Sequence, residues 1–229
     1  MVQFNDKKNI AGFVNFLHKD VLGKELSLLL DEYTQKSDVY VFSGIIRDFL
    51  LKRKKARVRD VDLVVTAIPD VDALSKIWKK YKGQRNSFGG AKFQYENISV
   101  DVWEMGTTWG IVEKKEVPSV DALINSSFFN CTAIVFNVKE KVFVYNSHFS
   151  DFIENRVLDI VYEKNPNQAL CVVNSFLYMK KYDVTLSDRL KQWIRVVSQN
   201  INDYEKAQEA HYHKIIYSNK KIEKLIKQL

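Results

Sequence analysis

Apolar residues recur at helical spacing through residues 7–35: Ile10, Phe13, Val14, Phe16, Leu17, Val21 and Leu22, then Leu26, Leu28, Leu29 and Leu30. This pattern predicts helix across the span, with Gly23 as a point where it divides in two. The run Asp38-Val-Tyr-Val-Phe42 predicts a short buried strand, Ser43-Gly44 a turn, and Ile45 to Lys55 a helix. A second strand is expected from Val61 to Val65, ended by Pro69, and a helix from Asp72 to Tyr81. Lys92 to Tyr95 and Ile98 to Trp103 read as a hairpin turning at Glu96-Asn97. Cys131 to Asn137 and Lys141 to Tyr145 read as a further strand pair. From Asp151 onward the period is helical, with Pro166 opening a new helix. The division predicted is a mixed α/β part over 1–150 and a helical part over 151–229.

Glycine sharpens that division. All eight glycines lie within the first 110 residues, so the second half can hold helices without weak points. The 229 residues are 46% hydrophobic and 28% charged, an ordinary globular balance that excludes disordered and low-complexity classes. No apolar run approaches the length of a membrane helix, and the N-terminus does not read as a signal peptide. Cys131 and Cys171 lack metal-ligand spacing and read as reduced core residues of a cytoplasmic protein. The net charge is +7, and from Lys180 to the end Lys and Arg number 11 against 6 Asp and Glu. Such a surplus favours polyanionic partners.

The chemistry concentrates between Val39 and Val65. A strand runs into Ser43-Gly44 and a helix follows, an arrangement that offers backbone N–H groups to a phosphate. Then comes Asp60-Val61-Asp62-Leu63. On a strand, i and i+2 project to one side, so Asp60 and Asp62 point together. Two carboxylates that close raise one another's pKa unless a cation sits between them, and Mg²⁺ commonly uses one or two carboxylates with phosphate oxygens. The competing reading is a polar edge strand with solvated aspartates.

Ser43-Gly44-Ile45-Ile46-Arg47-Asp48-Phe49-Leu50-Leu51, a basic loop, and Asp60-Val61-Asp62-Leu63 together resemble the head of the class II nucleotidyltransferases. These are the bacterial-type CCA-adding enzymes and poly(A) polymerases of the DNA polymerase β superfamily. Their pattern is Gly-Gly-x-Val-Arg-Asp-x-Leu-Leu, a basic loop, then Asp-x-Asp-Leu. Phe129 to Asn137 looks like a weaker match to a later strand of the family, and residues 166–184 to its first neck helix. The resemblance implies an α+β fold: a polymerase-β-like head, with a mixed twisted sheet and flanking helices, followed by an all-helical neck.

It also implies a chemistry. A nucleoside monophosphate passes from an NTP, with ATP favoured, to an acceptor hydroxyl, and a tRNA-like RNA 3′ end is the expected acceptor. Asp60 and Asp62 bind two Mg²⁺ ions, with Mn²⁺ an alternative, and Asp101 in Ile98-Ser-Val-Asp-Val-Trp103 supplies the third carboxylate. Glu104 is the fallback, on the opposite face from Asp101. Ser43 and Gly44 hold the triphosphate, and Arg47 and Asp48 lie near the sugar and phosphates. An ion pair beneath the sheet is the structural alternative for these last two. The sequence departs from the family at two places. Ser126-Ser127-Phe128 replaces an Arg-Arg-Asp, and residues 168–176 lack the neck's base-selecting Glu-Asp-x-x-Arg. The chain is also short for the body and tail that grip tRNA in larger members. A protein or small-molecule acceptor, and a non-catalytic nucleotide- or RNA-binding module, are the alternative functions.

Further signals surround this core. Lys52, Arg53, Lys54 and Lys55, with Arg57 and Arg59, form a basic loop suited to phosphate or RNA. The glycines of Asn86-Ser87-Phe88-Gly89-Gly90 permit close backbone approach to a ligand. Tyr204 to Leu229 reads as an amphipathic helix packing on the neck, with Lys220, Lys221, Lys224 and Lys227 on a face that could meet RNA. His211 and His213 diverge on a helix and form no metal pair. His148 is placed in a loop. Trp103, Trp109 and Tyr95 could stack a base, although aromatics in strands are more often core.

Overall fold

The computed structural model describes residues 4–51, 58–67, 70–86 and 89–229. The chain opens with α1 (Lys7–Asn15), a π-helical segment (Phe16–Leu22) and α2 (Gly23–Thr34). Asp6 caps α1 by accepting from the Asn9 N–H, and Gly23, at φ 62°, takes the left-handed turn into α2. β1 (Val39–Phe42) leads to α3 (Gly44–Leu50), and β2 (Asp60–Val65) to α4 (Val71–Lys80). Next come the short β3 (Gln84–Arg85), β4 (Ala91–Tyr95) and β5 (Ile98–Glu104). α5 (Trp109–Lys114), α6 (Val120–Asn125), β6 (Ile134–Asn137), β7 (Val142–Tyr145) and α7 (Ser147–Asn155) complete the first part. The remainder comprises β8 (Val157–Leu158), α8 (Gln168–Tyr182), β9 (Thr185–Leu186), α9 (Asp188–Val197), α10 (Tyr204–Tyr212) and α11 (Asn219–Ile226).

Seven strands form one mixed sheet in the order β3-β4-β5-β2-β1-β6-β7. Every neighbouring pair is antiparallel except β2 and β5, which run parallel through the crossover that contains α4. The strand alternation sorts side chains into two cores. Val39, Val41, Val61, Leu63, Val65, Val100, Val102 and Phe136 face the large core, which also buries residues of α1–α4 and α7–α11. Phe13, Phe49, Phe136 and Phe143 meet edge-on or tilted at its centre, with Phe13 centred 4.8–5.3 Å from the other three. The large core is continuous from Phe4 to Ile222. Tyr40, Val64, Trp103 and Val135 point the other way, into a smaller core roofed by α5 and α6.

Four expectations need correcting. The helix after Ser43-Gly44 ends at Leu50, with Leu51 as its cap, and the expected stretch from Lys52 to Lys55 lies outside the described residues. Cys131 lies in a 3₁₀ turn (Asn130–Thr132), and the strand begins only at Ile134. The region after Asp151 is not wholly helical: β8 and β9 pair in parallel as a two-stranded sheet. The predicted tail helix is two helices, α10 and α11. They join through the fully buried Gln208, whose amide donates to the Tyr204 and Tyr217 carbonyls and accepts from the Ile216 and Tyr217 N–H groups. In addition, His148 sits in α7 rather than in a loop.

Candidate active site

The aspartates lie on the face of the sheet that carries the smaller core, beyond its edge. Val64 and Trp103 belong to that core, and alternation carries the same side back to Asp62, Asp60 and Asp101. In the parallel pair, Asp62 is directly opposite Asp101 and Asp60 opposite Ser99. Across β1, Asp62 is opposite Phe42, so the Ser43-Gly44 turn leaves the sheet at the carboxylate end. Ser43 adopts φ 57° and ψ −98°, a backbone region that favours glycine. Its N–H donates to the Ile134 carbonyl at 3.0 Å, which ties the turn to β6.

The three carboxylates are differently held. Asp60 is exposed and accepts from Arg59 Nε at 2.7 Å. Asp101 is more enclosed: Lys92 Nζ lies 3.1 Å from one oxygen, and Asn86 Nδ2 donates to the other at 3.2 Å. Asp62 is partly buried, and its pKa is pushed up to about 7, first by burial and then by the charges of Asp101 and Asp60, with Lys92 opposing. Like charge at this end of the sheet is therefore only partly compensated. Ser99 Oγ, buried on the same face, has no hydrogen-bond partner among the described residues.

These donors suit a hard divalent cation, which prefers oxygen ligands and would relieve the repulsion felt by Asp62. The side chains do not yet converge: among the described residues, no three His, Cys, Asp or Glu groups stand close enough to hold a metal ion. Arg59 and Lys92 lie against two of the three carboxylates instead.

The glycines after Asn86 serve the protein's own backbone. A Cβ on Gly90 would stand 1.9 Å from the Val102 carbonyl oxygen, so only glycine lets this turn press on β5. The Asn86 side chain accepts from the Gly90 N–H at 2.9 Å and donates to the Ala91 carbonyl at 3.2 Å while reaching Asp101. Asn86 therefore braces Asp101. Sequence reasoning singled out the turn without this role, which depends on two strands meeting in register.

Arg47 and Asp48 lie in the interior, away from open solvent. Arg47 is 5% exposed, with its guanidinium 4.9 and 4.7 Å from the ring centres of Tyr178 and Tyr182 on α8. It donates to Asp48 at 3.2 Å and approaches Cys131 Sγ at 3.8 Å. Asp48 accepts from Lys181 Nζ at 2.8 Å and the Tyr182 hydroxyl at 2.7 Å. Burial opposes the Asp48 charge, but Arg47 and Lys181 hold its carboxyl below the usual range. Burial pushes the Cys131 thiol up to about 11, so it stays protonated. This cluster fastens α3, which begins at the Ser43 turn, to α8.

Trp103 is buried against Phe42 and donates to Thr108 Oγ1 at 3.0 Å. Trp109 packs near Tyr162 on α5, and Tyr95 is exposed at the end of β4. Glu104 is exposed at the far end of β5 from the three aspartates. Lys52, Arg53, Lys54, Lys55, Arg57, Ser87 and Phe88 lie outside the described residues. Lys220, Lys221 and Lys224 are exposed on α11, whose Ile222 is fully buried, and Lys227 is exposed at its C-cap. Phe128, where the family carries a charged residue, packs edge-on against Phe129 and Trp193.

One element escaped the sequence reading. The imidazole of His211, at the end of α10, is held below its usual pKa by burial first and then by Arg59, with Asp60, His213 and Lys92 also acting on it. The end of α10 therefore lies within electrostatic range of Arg59, Asp60 and Lys92. Tyr212 secures it there by a hydroxyl hydrogen bond to Asn174 of α8. No local pattern announces this proximity, because it joins residues about 150 positions apart.

The mixed seven-stranded sheet and its helices form a nucleotidyltransferase-head fold like that of CCA-adding enzymes. A solved CCA-adding enzyme in complex with CTP aligns over 95% of this chain and 54% of its own, with a TM-score of 0.64 and 14% identity. A CCA-adding enzyme with ATP aligns over 93% of this chain and 52% of its own, with a TM-score of 0.62 and 14% identity. The Thermotoga maritima CCA-adding enzyme complexed with tRNA covers 80% of this chain and 43% of its own, with a TM-score of 0.58 and 15% identity. This chain thus spans about half the length of the solved structures it matches. No family model matches the sequence, and no curated protein does. No helix among the described residues is long and apolar enough to cross a membrane.

Proposed function

We propose that this protein is a metal-dependent nucleotidyltransferase that moves a nucleoside monophosphate from an NTP, ATP foremost, to the 3′ hydroxyl of a tRNA-like RNA. The observation that carries the reading is the register of β2 and β5, which sets Asp62 beside Asp101, with Asp60 two residues away and the Ser43-Gly44 turn at the same end. The likeness to solved enzymes bound to CTP, ATP and tRNA supports the choice of ligands.

In this reading Asp60, Asp62 and Asp101 hold Mg²⁺ or Mn²⁺. When bound, these ions neutralise charge on the attacking oxygen and on the leaving pyrophosphate. The acceptor oxygen forms a bond to the α-phosphorus, and the bond from that phosphorus to the bridging oxygen breaks. Pyrophosphate departs with the electron pair. Asp101, braced by Asn86, orients the acceptor hydroxyl and takes its proton on a carboxylate oxygen. The Ser43-Gly44 turn faces the phosphates, with the Gly44 N–H as its donor, since the Ser43 N–H is held by the Ile134 carbonyl. Arg47 and Asp48 act at one remove, by fixing α3 and hence the turn. The exposed lysines of α11 contact the RNA backbone.

Incubation with labelled NTPs, Mg²⁺ and total RNA tests nucleotide and acceptor together. Labelled RNA is the expected product. Asp60→Ala combined with Asp62→Ala should cost orders of magnitude in rate, and full activity in that variant would remove the assignment. Replacing Lys220, Lys221, Lys224 and Lys227 by Ala should flatten the salt dependence of RNA binding, at roughly 0.7 in log–log slope per lost contact. A slope unchanged by those substitutions would move the acceptor away from RNA.

A further inference from the structure

Resting on the carboxylate-site reading above, we infer that Lys92 is a triphosphate-binding residue, held in place by Asp101 and exchanged onto the nucleotide when a divalent cation takes that carboxylate. A single row of cross-strand neighbours runs Phe42, Asp62, Asp101, Lys92, spanning β1, β2, β5 and β4. All four lie on the carboxylate face, since the flanking Val41, Val61, Val100 and Phe93 point into the large core. With strands about 4.8 Å apart, the row is about 14 Å long from the Ser43 turn to the β4 backbone. Lys92 stands at the side of the row away from the turn, with only Gln84 of the short β3 beyond it.

Three features make its ammonium exchangeable. Its side chain is 46% exposed while that of Asp101 is 16% exposed, so the lysine reaches in from solvent to a more enclosed acid. Lys92 Nζ lies 3.1 Å from one oxygen of Asp101, whereas Asp101 keeps a second anchor in Asn86 at 3.2 Å. Asp101 can therefore give up Lys92 without losing its orientation. A divalent cation and the ammonium also compete for the same oxygen, and two cations so close repel. The ammonium then needs a new anion within reach of its flexible stem. A triphosphate that runs over the carboxylates from the Ser43 turn toward β4 supplies one, and a lysine serves such an anion as a point charge.

Opposite effects on two ligands test the exchange. Binding of Mn²⁺ alone, read by electron paramagnetic resonance, and of ATP and AMP with Mg²⁺, read by calorimetry, is compared in the full chain and in Lys92→Met. Mn²⁺ affinity should rise about threefold or more once the competing cation is gone. ATP affinity should fall about tenfold, the size of one charge-assisted contact, with AMP much less affected. Lys92→Arg should restore ATP binding and thereby separate the charge from any effect on folding. Unchanged or weaker Mn²⁺ binding, or equal losses for ATP and AMP, would overturn the exchange while leaving the carboxylate site standing. Wild-type protein that binds no Mn²⁺, or binds it as well after Asp62→Asn, would instead overturn the carboxylate site and this inference with it.

Discussion

Two groups of charged side chains, one anchored on α3 and one at the end of β2 and β5, are treated in opposite ways. Around Arg47 every charge has an answer: Asp48 faces it, Lys181 and the Tyr182 hydroxyl face Asp48, and two tyrosine rings flank the guanidinium. At the end of β2 and β5 three carboxylates share two cations, and Asp62 is left with its pKa raised to about 7. A compensated buried pair fixes geometry and offers a ligand nothing. An under-compensated cluster at an exposed strand end costs stability and keeps its affinity for an incoming cation. The same residue types, a dozen or more positions apart in sequence, thus close a packed contact in one place and leave charge open to a cation in the other.

The largest test of this contrast sets activity against stability. Asp62→Asn should lower the transfer rate by about a thousandfold or more, in line with the loss of one key electrostatic contact, yet leave the protein at least as stable. The pH dependence gives the sign. Asp62 binds its proton more tightly in the native than in the unfolded chain, so native stability falls as pH rises from about 4, the unfolded carboxyl value, to about 7. The stability advantage of Asp62→Asn should grow across that window and stay constant above it. Melting curves from pH 4 to pH 8 check this, and a variant less stable than wild type at pH 8 contradicts it.

On the compensated side the prediction reverses. Arg47→Ala leaves Asp48 short of a partner and opens a cavity between two rings, so it should cost about 3–5 kcal/mol. Urea denaturation measures this. A loss below about 1 kcal/mol, together with a defect confined to nucleotide binding, would return Arg47 to the role of direct ligand.

Gly90→Ala probes the brace between the two regions. Its Cβ would collide with the Val102 carbonyl, so the turn must lift off β5, at about 1–3 kcal/mol. Mn²⁺ affinity should drop with it, because Asn86 then releases Asp101. The smallest effect is a gain. Ser43→Gly relieves a positive φ and should stabilise the fold by about 1 kcal/mol, with nucleotide binding retained. A loss of stability would show that the Ser43 side chain contributes more than the conformation costs.

What could be read in advance follows from how locally each feature is encoded. Alternation in Asp60-Val61-Asp62-Leu63 set both carboxylates on one side of a strand, and strand–turn–helix order set Ser43-Gly44 at the end of β1. Helical period placed α2, α4 and the neck helices, because burying one face of a helix demands apolar residues at that spacing. The pairing of β8 with β9, two residues each, left no such trace, since strands that short carry no period. The interior position of Arg47 was equally hidden, for a charged residue is written identically whether it meets a ligand or a tyrosine of α8.

By itself, then, the sequence determined the order of the elements, the side of β2 that bears the aspartates, and the surplus of lysine at the C-terminal end. Only the tertiary structure decided that Asp101 stands opposite Asp62, that Lys92 and Asn86 take its two oxygens, and that the end of α10 comes within electrostatic range of Asp60. The physical reason is range. Periodicity and turn chemistry act over a few residues and survive in the local pattern, whereas register, ion pairing and burial are settled by which distant segments exclude water from one another.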